Sequence, residues 1–382
     1  MDRPRAGEFV TMHNSSPWQG RYVTLDGMRG IAALAVALFH YNISQAPHGY
    51  LAVDFFFALS GFVLCRTYLP RWKAGLSTWA FMKQRMIRLY PLFLVGLVVT
   101  TLSAISNRYT GKGDIFEFGI IFGSLPFNLL MLPSPITMTM FPMNVPAWSL
   151  FFELVANFLL VLVLFRLPKL GLLVLCLAAG WWYGAAVLDN DGGNLGAVWD
   201  QFGISAVRTT FAFTAGVLIA RLPQSRTRPR GWTGLACLAA IAAMLLLDLR
   251  SVPAGKYDLV CSMVIAPALV WVGARCEPPR LVAPAAWFLG EVSYALYAVH
   301  WALMEPLRYF KDDLGFDQVL MAFVYLGSCL ALAWLCVRWI DVPTRAWLSG
   351  AMCGGSRPHS VMALMSRGEV NPAAVAKEVA GG

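Results

Sequence analysis

Ten long apolar stretches constrain this chain more than any other feature of its sequence. A transmembrane α-helix needs about 20 mostly apolar residues, whereas a strand of a membrane barrel needs about ten. The sequence therefore predicts an all-α integral membrane protein with about ten transmembrane helices. The stretches cover residues 27–45, 51–69, 89–106, 148–165, 170–187, 203–220, 232–248, 259–274, 287–305 and 318–340. Within the long loop 107–147, residues 115–132 are apolar enough either to lie at the membrane surface or to re-enter the bilayer.

Composition excludes an ordinary soluble domain. Only 13% of the 382 residues are charged and 58% are hydrophobic, whereas soluble domains carry about 25% charged residues. The net charge of +9 comes from basic residues between the apolar stretches, which is typical of membrane proteins and does not indicate a nucleic-acid partner. The eight cysteines lie mostly inside apolar stretches without disulfide or metal-ligand spacing, so no metal is expected.

Basic residues predict the orientation, because cytosolic loops are enriched in Lys and Arg. With both termini in the cytosol, 23 of the 30 basic residues fall inside, six fall outside and Arg208 falls within a span. Residues 1–24 lack an apolar signal region and are expected to be a cytosolic N-terminal segment. Residues 25–348 form the predicted transmembrane domain, and 349–382 are expected to be a disordered cytosolic tail. We expect a multi-pass protein of the plasma (inner) membrane.

Ionisable residues in the first two spans need a partner or a function, because charge in lipid is costly. Arg29 and His40 are close to three helical turns apart, so they share one face at a spacing of about 16 Å along the axis. Arg29 is either a positive-inside anchor or a functional group. His40 is either a hydrogen-bonded interface residue or a general base. Asp54 lies near the same non-cytosolic end, where it orients the imidazole of His40 or caps its own helix.

Two arginines precede the third span. Arg85 and Arg88 are three residues apart and share a helix face at the cytosolic rim. Their guanidinium groups suit phosphate binding, but they are equally suited to anchoring the protein at anionic lipid. Ser60 and Gly61 lie in the middle of the second span, where such a pair more often serves close helix packing than chemistry.

Polar side chains also recur on the fourth and ninth spans. Within each set, residues three or four apart share a helix face, and that face should point into the bundle because lipid would penalise it. Such faces either bind an acceptor or bond to neighbouring helices, and His300 rivals His40 as a base. The two sets are Ser149, Glu153 and Asn157 on the fourth span, where Trp148 precedes them, and Ser293, Tyr297 and His300 on the ninth.

Five segments in register resemble the membrane acyltransferase 3 family. They are Arg29 and His40 with ten residues between them, 53–62, 85–91, 146–150 with Glu153, and 293–300. The resemblance covers about residues 20–348. It implies a ten-helix fold, a cytosolic acyl donor that is usually acetyl-CoA, and a carbohydrate-type acceptor. Functional positions of the family carry over to Arg29, His40, Arg85 and Arg88. One departure is Asp341 with Pro343, where relatives often have a Glu-x-Pro signature.

Topology and resemblance together give a mechanistic hypothesis. Arginines hold the coenzyme A phosphates at the cytosolic face, and the pantetheine arm passes Arg29 towards the outer half of the bundle. There His40, oriented by Asp54, takes the proton of an acceptor hydroxyl that attacks the thioester. The residues assigned to catalysis are His40, Asp54 and Arg29. Those assigned to the donor are Arg85, Arg88, Ser60 and Gly61, and those assigned to the acceptor are Trp148, Ser149, Glu153, Ser293, Tyr297 and His300.

A transporter is the rival interpretation. Buried ionisable residues would equally suit a protein that moves an acylated glycan or a small organic acid across the bilayer. The two classes differ in one measurable respect, because only the acyltransferase releases free thiol from acetyl-CoA. The sequence identifies neither the acceptor sugar nor the oligomeric state.

Overall fold

The computed structural model describes residues 21–111, 116–223, 227–249 and 251–352. Within these ranges helices joined by short connections make up the chain, and no sheet is formed. The extended pairings are two isolated β-bridges, Thr139 with Val198 and Arg230 with Glu277. The all-α prediction is therefore confirmed.

Thirteen α-helices occur in the described ranges, and three single π-helical turns continue or join them. The turns are Leu160–Leu164 after α5, Cys261–Ile265 between α9 and α10, and Val337–Asp341 between α12 and α13. The helices are α1 Val23–Tyr41, α2 Ala52–Lys73, α3 Thr78–Thr110, α4 Phe118–Leu129, α5 Ala147–Leu159, α6 Lys169–Asp189, α7 Phe202–Ala220, α8 Trp232–Leu246, α9 Ala254–Val260, α10 Ala266–Gly273, α11 Ala283–Leu314, α12 Gln318–Cys336 and α13 Val342–Met352.

Eight helical segments of the described chain are long and apolar enough to cross a membrane, as an integral membrane protein requires. The other two expected spans correspond to α8, which has 15 residues, and α11, which has 32 residues and carries polar side chains along its length. The total of ten crossings and the cytosolic termini stay predictions. Residues 1–20 and 353–382 lie outside the described ranges, and α13 ends at Met352, within the segment expected to be a tail.

The third span differs most from its predicted bounds. Helix α3 begins at Thr78, eleven residues before the predicted start at 89, and Ser77 caps it by accepting a hydrogen bond of 3.2 Å from the amide of Ala80. Basic residues in this first part lower the hydropathy without weakening the helix, since Lys and Arg are good helix formers. Arg85 and Arg88 therefore lie on the helix itself, not ahead of it.

The undecided loop segment contains a short helix. Helix α4 has 12 residues, so it extends about 18 Å and cannot span a hydrocarbon core of about 30 Å. It buries Ile121, Ser124 and Asn128 against the rest of the protein and leaves Phe118 and Phe122 exposed. This helix is thus an apolar element packed on the side of the bundle.

Two helix pairs make the most extensive contacts, α1 with α11 and α2 with α7. Small residues permit the second pair to approach closely, as is common between membrane helices. A Cβ added to Gly61 would lie 2.1 Å from the carbonyl oxygen of Phe213, and one added to Gly216 would lie 1.9 Å from that of Ala58. Gly61 therefore serves helix packing.

A buried carboxylate holds the start of α1. Glu277 Oε2 accepts a hydrogen bond of 3.0 Å from the amide of Val23, and Thr24 Oγ1 donates to the carbonyl of Cys276 at 2.8 Å. Burial raises the pKa of Glu277, and the neighbouring guanidinium of Arg228 at 2.5 Å opposes that shift. These contacts fix the end of α1 that carries Arg29.

Candidate active site

An elongated cavity of about 400 Å³ lies between α1, α2, α3, α5 and α11. On α2 its wall runs from Val53 to Tyr68, which is about 22 Å along the helix axis. One end lies at the side that the basic residues predict to be cytosolic, and the other reaches the outer half of the bundle. Of the residues singled out in the sequence, the cavity wall includes Arg29, Ser60, Arg85, Arg88, Ser149, Glu153, Ser293 and Tyr297.

Arg29 projects from α1 into this cavity and is fixed in place. Its Nη2 lies 3.1 Å from Asp26 Oδ1 and donates a hydrogen bond of 2.6 Å to the carbonyl of Gly290. Its Nε donates to Ser293 Oγ at 2.8 Å. Arg29 thereby joins α1 to α11, so it is more than a charge at the membrane rim.

A second arginine, Arg21, lies in the wall of the cavity at its predicted cytosolic end. Arg21 lies just before α1 and contacts two carboxylates, Asp26 at 3.2 Å and Glu291 at 2.6 Å. Burial alone would lower the pKa of Arg21, but the two carboxylates outweigh burial and raise it. This guanidinium is therefore charged at every physiological pH.

The two arginines of α3 have different environments. Arg85 is 6% exposed and its Nη2 lies 3.0 Å from Glu153 Oε1, which also accepts a hydrogen bond of 3.0 Å from Ser60 Oγ. Arg88 is exposed and makes no hydrogen bond or ion pair with any residue that the structure describes. Only Arg88 of this pair offers its full set of donors to a ligand.

The far end of the cavity is closed by a tyrosine. The hydroxyl of Tyr297 lies 2.7 Å from Ser149 Oγ and donates to the carbonyl of Pro146 at 3.2 Å. The ring of Phe56 contacts that of Tyr297 edge to face, with 5.7 Å between centroids. The Ser149–Tyr297 pair thus joins α5 to α11 and ends the open space.

A pair of histidines lies directly beyond this tyrosine. The rings of His40 and His300 stack with centroids 5.4 Å apart, and the ring of His300 lies 5.6 Å from that of Tyr297. His300 is fully buried. Its Nδ1 lies 2.8 Å from the carbonyl of Tyr297, which assigns the proton to Nδ1, and its Nε2 has no partner within the described residues. Neither histidine is part of the cavity wall, although sequence periodicity placed both with the site.

Asp54 does not orient His40, so this part of the hypothesis is wrong. The Asp54 carboxylate is fully buried and forms a two-pronged pair with Arg208, with Nε to Oδ1 at 2.9 Å and Nη2 to Oδ2 at 2.6 Å. No hydrogen bond joins Asp54 to His40 among the described residues. The reason is that α2 turns Asp54 towards α7, whereas His40 faces α11.

Trp148 and Gly61 also lie away from the cavity. The indole of Trp148 contacts Phe57 and stands 5.7 Å from the guanidinium of Arg208. Gly61 lies against the backbone of α7, as described above. Neither residue is part of the cavity wall, because both support the α2–α7 interface, and their assignment to the acceptor and the donor stays a prediction.

Sequence reasoning missed a buried polar network at the predicted outer side. Arg208 also donates to the carbonyls of Leu195 at 2.6 Å and Tyr50 at 3.1 Å. The hydroxyl of Tyr50 donates to Asp258 Oδ2 at 2.6 Å, and His48 Nδ1 lies 3.1 Å from Asp258 Oδ1. The available signal was Arg208 alone inside an apolar stretch, because an arginine there needs a buried acid or backbone carbonyls as partners.

Within the described ranges, no group of three His, Cys, Asp or Glu side chains is arranged so that it could hold a metal ion. The cavity offers guanidinium, hydroxyl and carboxylate groups instead. Such groups bind anionic and polyhydroxylated ligands. Together with the membrane helices, they define a membrane protein with a polar cavity inside its helix bundle.

The sequence profile of the acyltransferase 3 family, which describes an acyltransferase domain, matches residues 22–338. The chain therefore belongs to this family, and it is an acyltransferase. No solved structure matches it.

Three relatives illustrate the similarity. Protein 2 in the picA locus of Rhizobium radiobacter is 39% identical over 152 residues, which are 36% of this chain and 79% of that protein. Acyltransferase MdmB of Streptomyces mycarofaciens is 26% identical over 359 residues, 83% of this chain and 87% of the relative. Peptidoglycan O-acetyltransferase OatA of Listeria monocytogenes is 33% identical over 97 residues, 25% of this chain but only 16% of OatA.

Proposed function

We propose that this protein transfers an acyl group, in the first instance acetyl, from acyl-CoA in the cytosol to a hydroxyl of a carbohydrate-type acceptor at the plasma membrane. One observation carries the proposal: a single cavity runs from the arginines at one end of the bundle to the Ser149–Tyr297 pair, directly in front of the two histidines. Its length suits a long, thin donor that enters from one side and reacts deep in the membrane.

The donor phosphates bind at the arginine end. Arg88 is exposed and has its hydrogen-bond donors available, and guanidinium groups bind phosphate through two parallel hydrogen bonds. Arg29 lies farther in and is held by Asp26 and α11. It lines the path of the pantetheine arm, whose amides it can bind without moving.

The transfer itself needs a base near the inner end. In the proposed step the acceptor hydroxyl gives its proton to the His40 imidazole while its oxygen attacks the thioester carbonyl. The carbon–sulfur bond then breaks, and the leaving thiolate takes this proton back from the His40 imidazolium, so that an O-ester, free coenzyme A and a neutral His40 result. For the thioester to reach His40, the Tyr297 side chain must swing aside and leave Ser149. His300 supports His40 from behind through ring stacking.

The acceptor class rests on the relatives. OatA of Listeria monocytogenes is named a peptidoglycan O-acetyltransferase, and peptidoglycan is a glycan polymer; its match covers 25% of this chain, and residues 22–338 of this chain belong to the family. A hydroxyl-rich acceptor also agrees with the hydroxyl and carboxylate groups of Ser60, Ser149 and Glu153 that line the cavity.

Label transfer tests the proposal directly. Membrane vesicles containing the protein should incorporate radioactive acetyl groups from acetyl-CoA into their glycan fraction, and mild alkali should release the label because it is held as an ester. His40→Gln should lower the rate by roughly 10²- to 10⁴-fold, the usual contribution of a general base.

His300→Gln is the matched control. It keeps a polar side chain stacked against His40, so a moderate loss of activity is expected. A dead His300→Gln beside an active His40→Gln would move the base to α11. Consumption of acetyl-CoA with no alkali-labile label in any glycan would refute the acceptor class, and no thiol release at all would refute the transfer reaction.

A further inference from the structure

A second cavity of about 540 Å³ opens at the predicted cytosolic rim, between the ends of α2 and α7 and the start of α6. We name it the rim pocket. Its wall consists of Cys65, Arg66, Leu69, Pro70, Lys73, Phe165, Lys169, Ala220, Arg221, Leu222 and Pro223. It shares no residue with the central cavity, because the two occupy different faces of α2.

The rim pocket is strongly cationic. Four of its wall residues are basic, and none is acidic. Arg66, Lys73 and Lys169 are exposed, and none of them makes a hydrogen bond or ion pair within the part of the chain that the structure describes. Three unneutralised cations around one concave space repel each other, so an anion placed between them stabilises the arrangement.

Arg221 forms the back of the pocket and is held rigidly. Its Nη1 donates to the carbonyl of Leu167 at 2.7 Å, and its Nη2 donates to that of Leu164 at 2.7 Å. These carbonyls belong to the end of the α5 segment, so Arg221 fastens α7 to the link between α5 and α6. The fixed guanidinium contributes positive charge without having to be ordered by a ligand.

We propose that the rim pocket binds a phosphate group, and that its natural source is the headgroup of an anionic phospholipid. Apolar side chains, among them Leu69, Phe165 and Leu222, line the same space as the cations. A phospholipid presents this combination, with a charged headgroup beside acyl chains, and basic pockets between membrane helices bind such headgroups. The proposal does not depend on the proposed transfer reaction.

Lipid titration of the purified protein in detergent tests the site. Native mass spectrometry should detect bound dioleoylphosphatidylglycerol at lower concentrations than dioleoylphosphatidylcholine, which has the same chains but no net charge. Arg66→Gln with Lys169→Gln should weaken phosphatidylglycerol binding about 30-fold, since each cation near an anionic surface contributes about 1 kcal/mol. Arg221 is left intact because it fastens two helices.

The matched control removes the same charge elsewhere on the predicted cytosolic side. Lys83→Gln with Arg280→Gln changes two exposed basic residues that are not part of the rim pocket, so phosphatidylglycerol binding should stay within about twofold of the parent. Equal weakening in both double variants would overturn the proposal, because binding would then follow overall charge. If the pocket variant does not fold, Lys169→Gln alone should still weaken binding about fivefold.

A soluble phosphate is the other source of the same chemistry. Adenosine 3′,5′-bisphosphate, which carries the phosphate groups of a nucleotide without acyl chains, should fail to displace phosphatidylglycerol at millimolar concentration. Displacement that Arg66→Gln with Lys169→Gln abolishes would keep the phosphate site and reassign its ligand to a soluble nucleotide. Equal binding of phosphatidylglycerol and phosphatidylcholine by the parent would exclude a phosphate-charge site altogether.

Discussion

Replacing Asp54 by asparagine should lower the stability of the bundle, because the carboxylate forms a buried ion pair with Arg208. The side chain of Arg208 is 1% exposed and that of Asp54 is fully buried, and two short hydrogen bonds join them. The amide keeps one oxygen acceptor but turns an NH₂ group towards an arginine that can only donate. Arg208 then stays charged, buried and uncompensated.

The magnitude follows from that geometry. Removing one partner of a buried ion pair costs about 3–5 kcal/mol, which corresponds to a fall of about 150- to 5,000-fold in the folding equilibrium constant. Two remaining acceptors, the carbonyls of Leu195 and Tyr50, satisfy hydrogen bonds of Arg208 but supply no negative charge. Because these hydrogen bonds remain, we expect a cost at the lower end of the range, about 3 kcal/mol.

Unfolding in mixed micelles of mild detergent and dodecyl sulfate measures the effect. Asp54→Asn should unfold at a clearly lower dodecyl sulfate fraction than the parent, whereas Asp200→Asn, which changes an exposed carboxylate, should shift the free energy of unfolding by less than about 0.5 kcal/mol. Asp54→Leu combined with Arg208→Met removes both charges, and this double variant should recover much of the lost stability.

One result would refute this reasoning. In that result, Asp54→Asn unfolds at the same dodecyl sulfate fraction as the parent, while its turnover with acetyl-CoA is largely lost. Asp54 would then act in the reaction, as the sequence pattern alone suggested, and its pairing with Arg208 would contribute nothing measurable to stability.

Three further substitutions address other parts of the protein. Arg88→Gln should raise the KM for acetyl-CoA about 10- to 150-fold, the loss of one hydrogen bond to a charged group, with an unchanged folded yield; unchanged donor kinetics would make Arg88 a membrane anchor. Gly61→Ala should lower the free energy of unfolding in mixed micelles by about 1–3 kcal/mol, because its new Cβ would lie 2.1 Å from a carbonyl oxygen of α7. Gly119→Ala is the control and should have little effect, because nothing lies within 4 Å of its new Cβ. Equal effects of the two substitutions would contradict close packing at Gly61. Asp258→Asn should weaken the hydrogen bond of 2.7 Å from the amide of Gly193 and speed limited proteolysis of that loop, and cleavage at the parental rate would show that Asp258 does not hold it.

Apolar run length predicted most of the helices well, because burying a backbone in lipid leaves a helix as almost the only solution. The start of the third span was the main exception. The hydropathy of the chain drops at Lys83, Arg85 and Arg88, so the predicted start of the third span was late, although α3 already begins at Thr78. Hydropathy reports the solvent around a helix and not the end of the helix itself.

Helical periodicity predicted which face of a helix is polar, but not which neighbour that face meets. It placed Ser149 and Tyr297 on inward faces, and the structure joins them. The shared non-cytosolic end of the first two spans placed Asp54 near His40, but the partner of Asp54 is Arg208, 154 positions away in the sequence. Pairing across such a separation depends on the arrangement of α2 against α7, which no local pattern encodes.

Glu153 occupies Arg85, a residue assigned to the donor, and would have to release it when a donor binds there. One of its oxygens holds both Arg85 and Ser60, so an anion can engage Arg85 fully only by displacing that oxygen. On the proposed function, arrival of the donor would set free a carboxylate and a hydroxyl in the middle of the cavity, where an incoming sugar could use both. On this proposal Arg85 neutralises the acceptor-binding carboxylate of Glu153 until the donor binds, so that binding of one reactant prepares the site for the other.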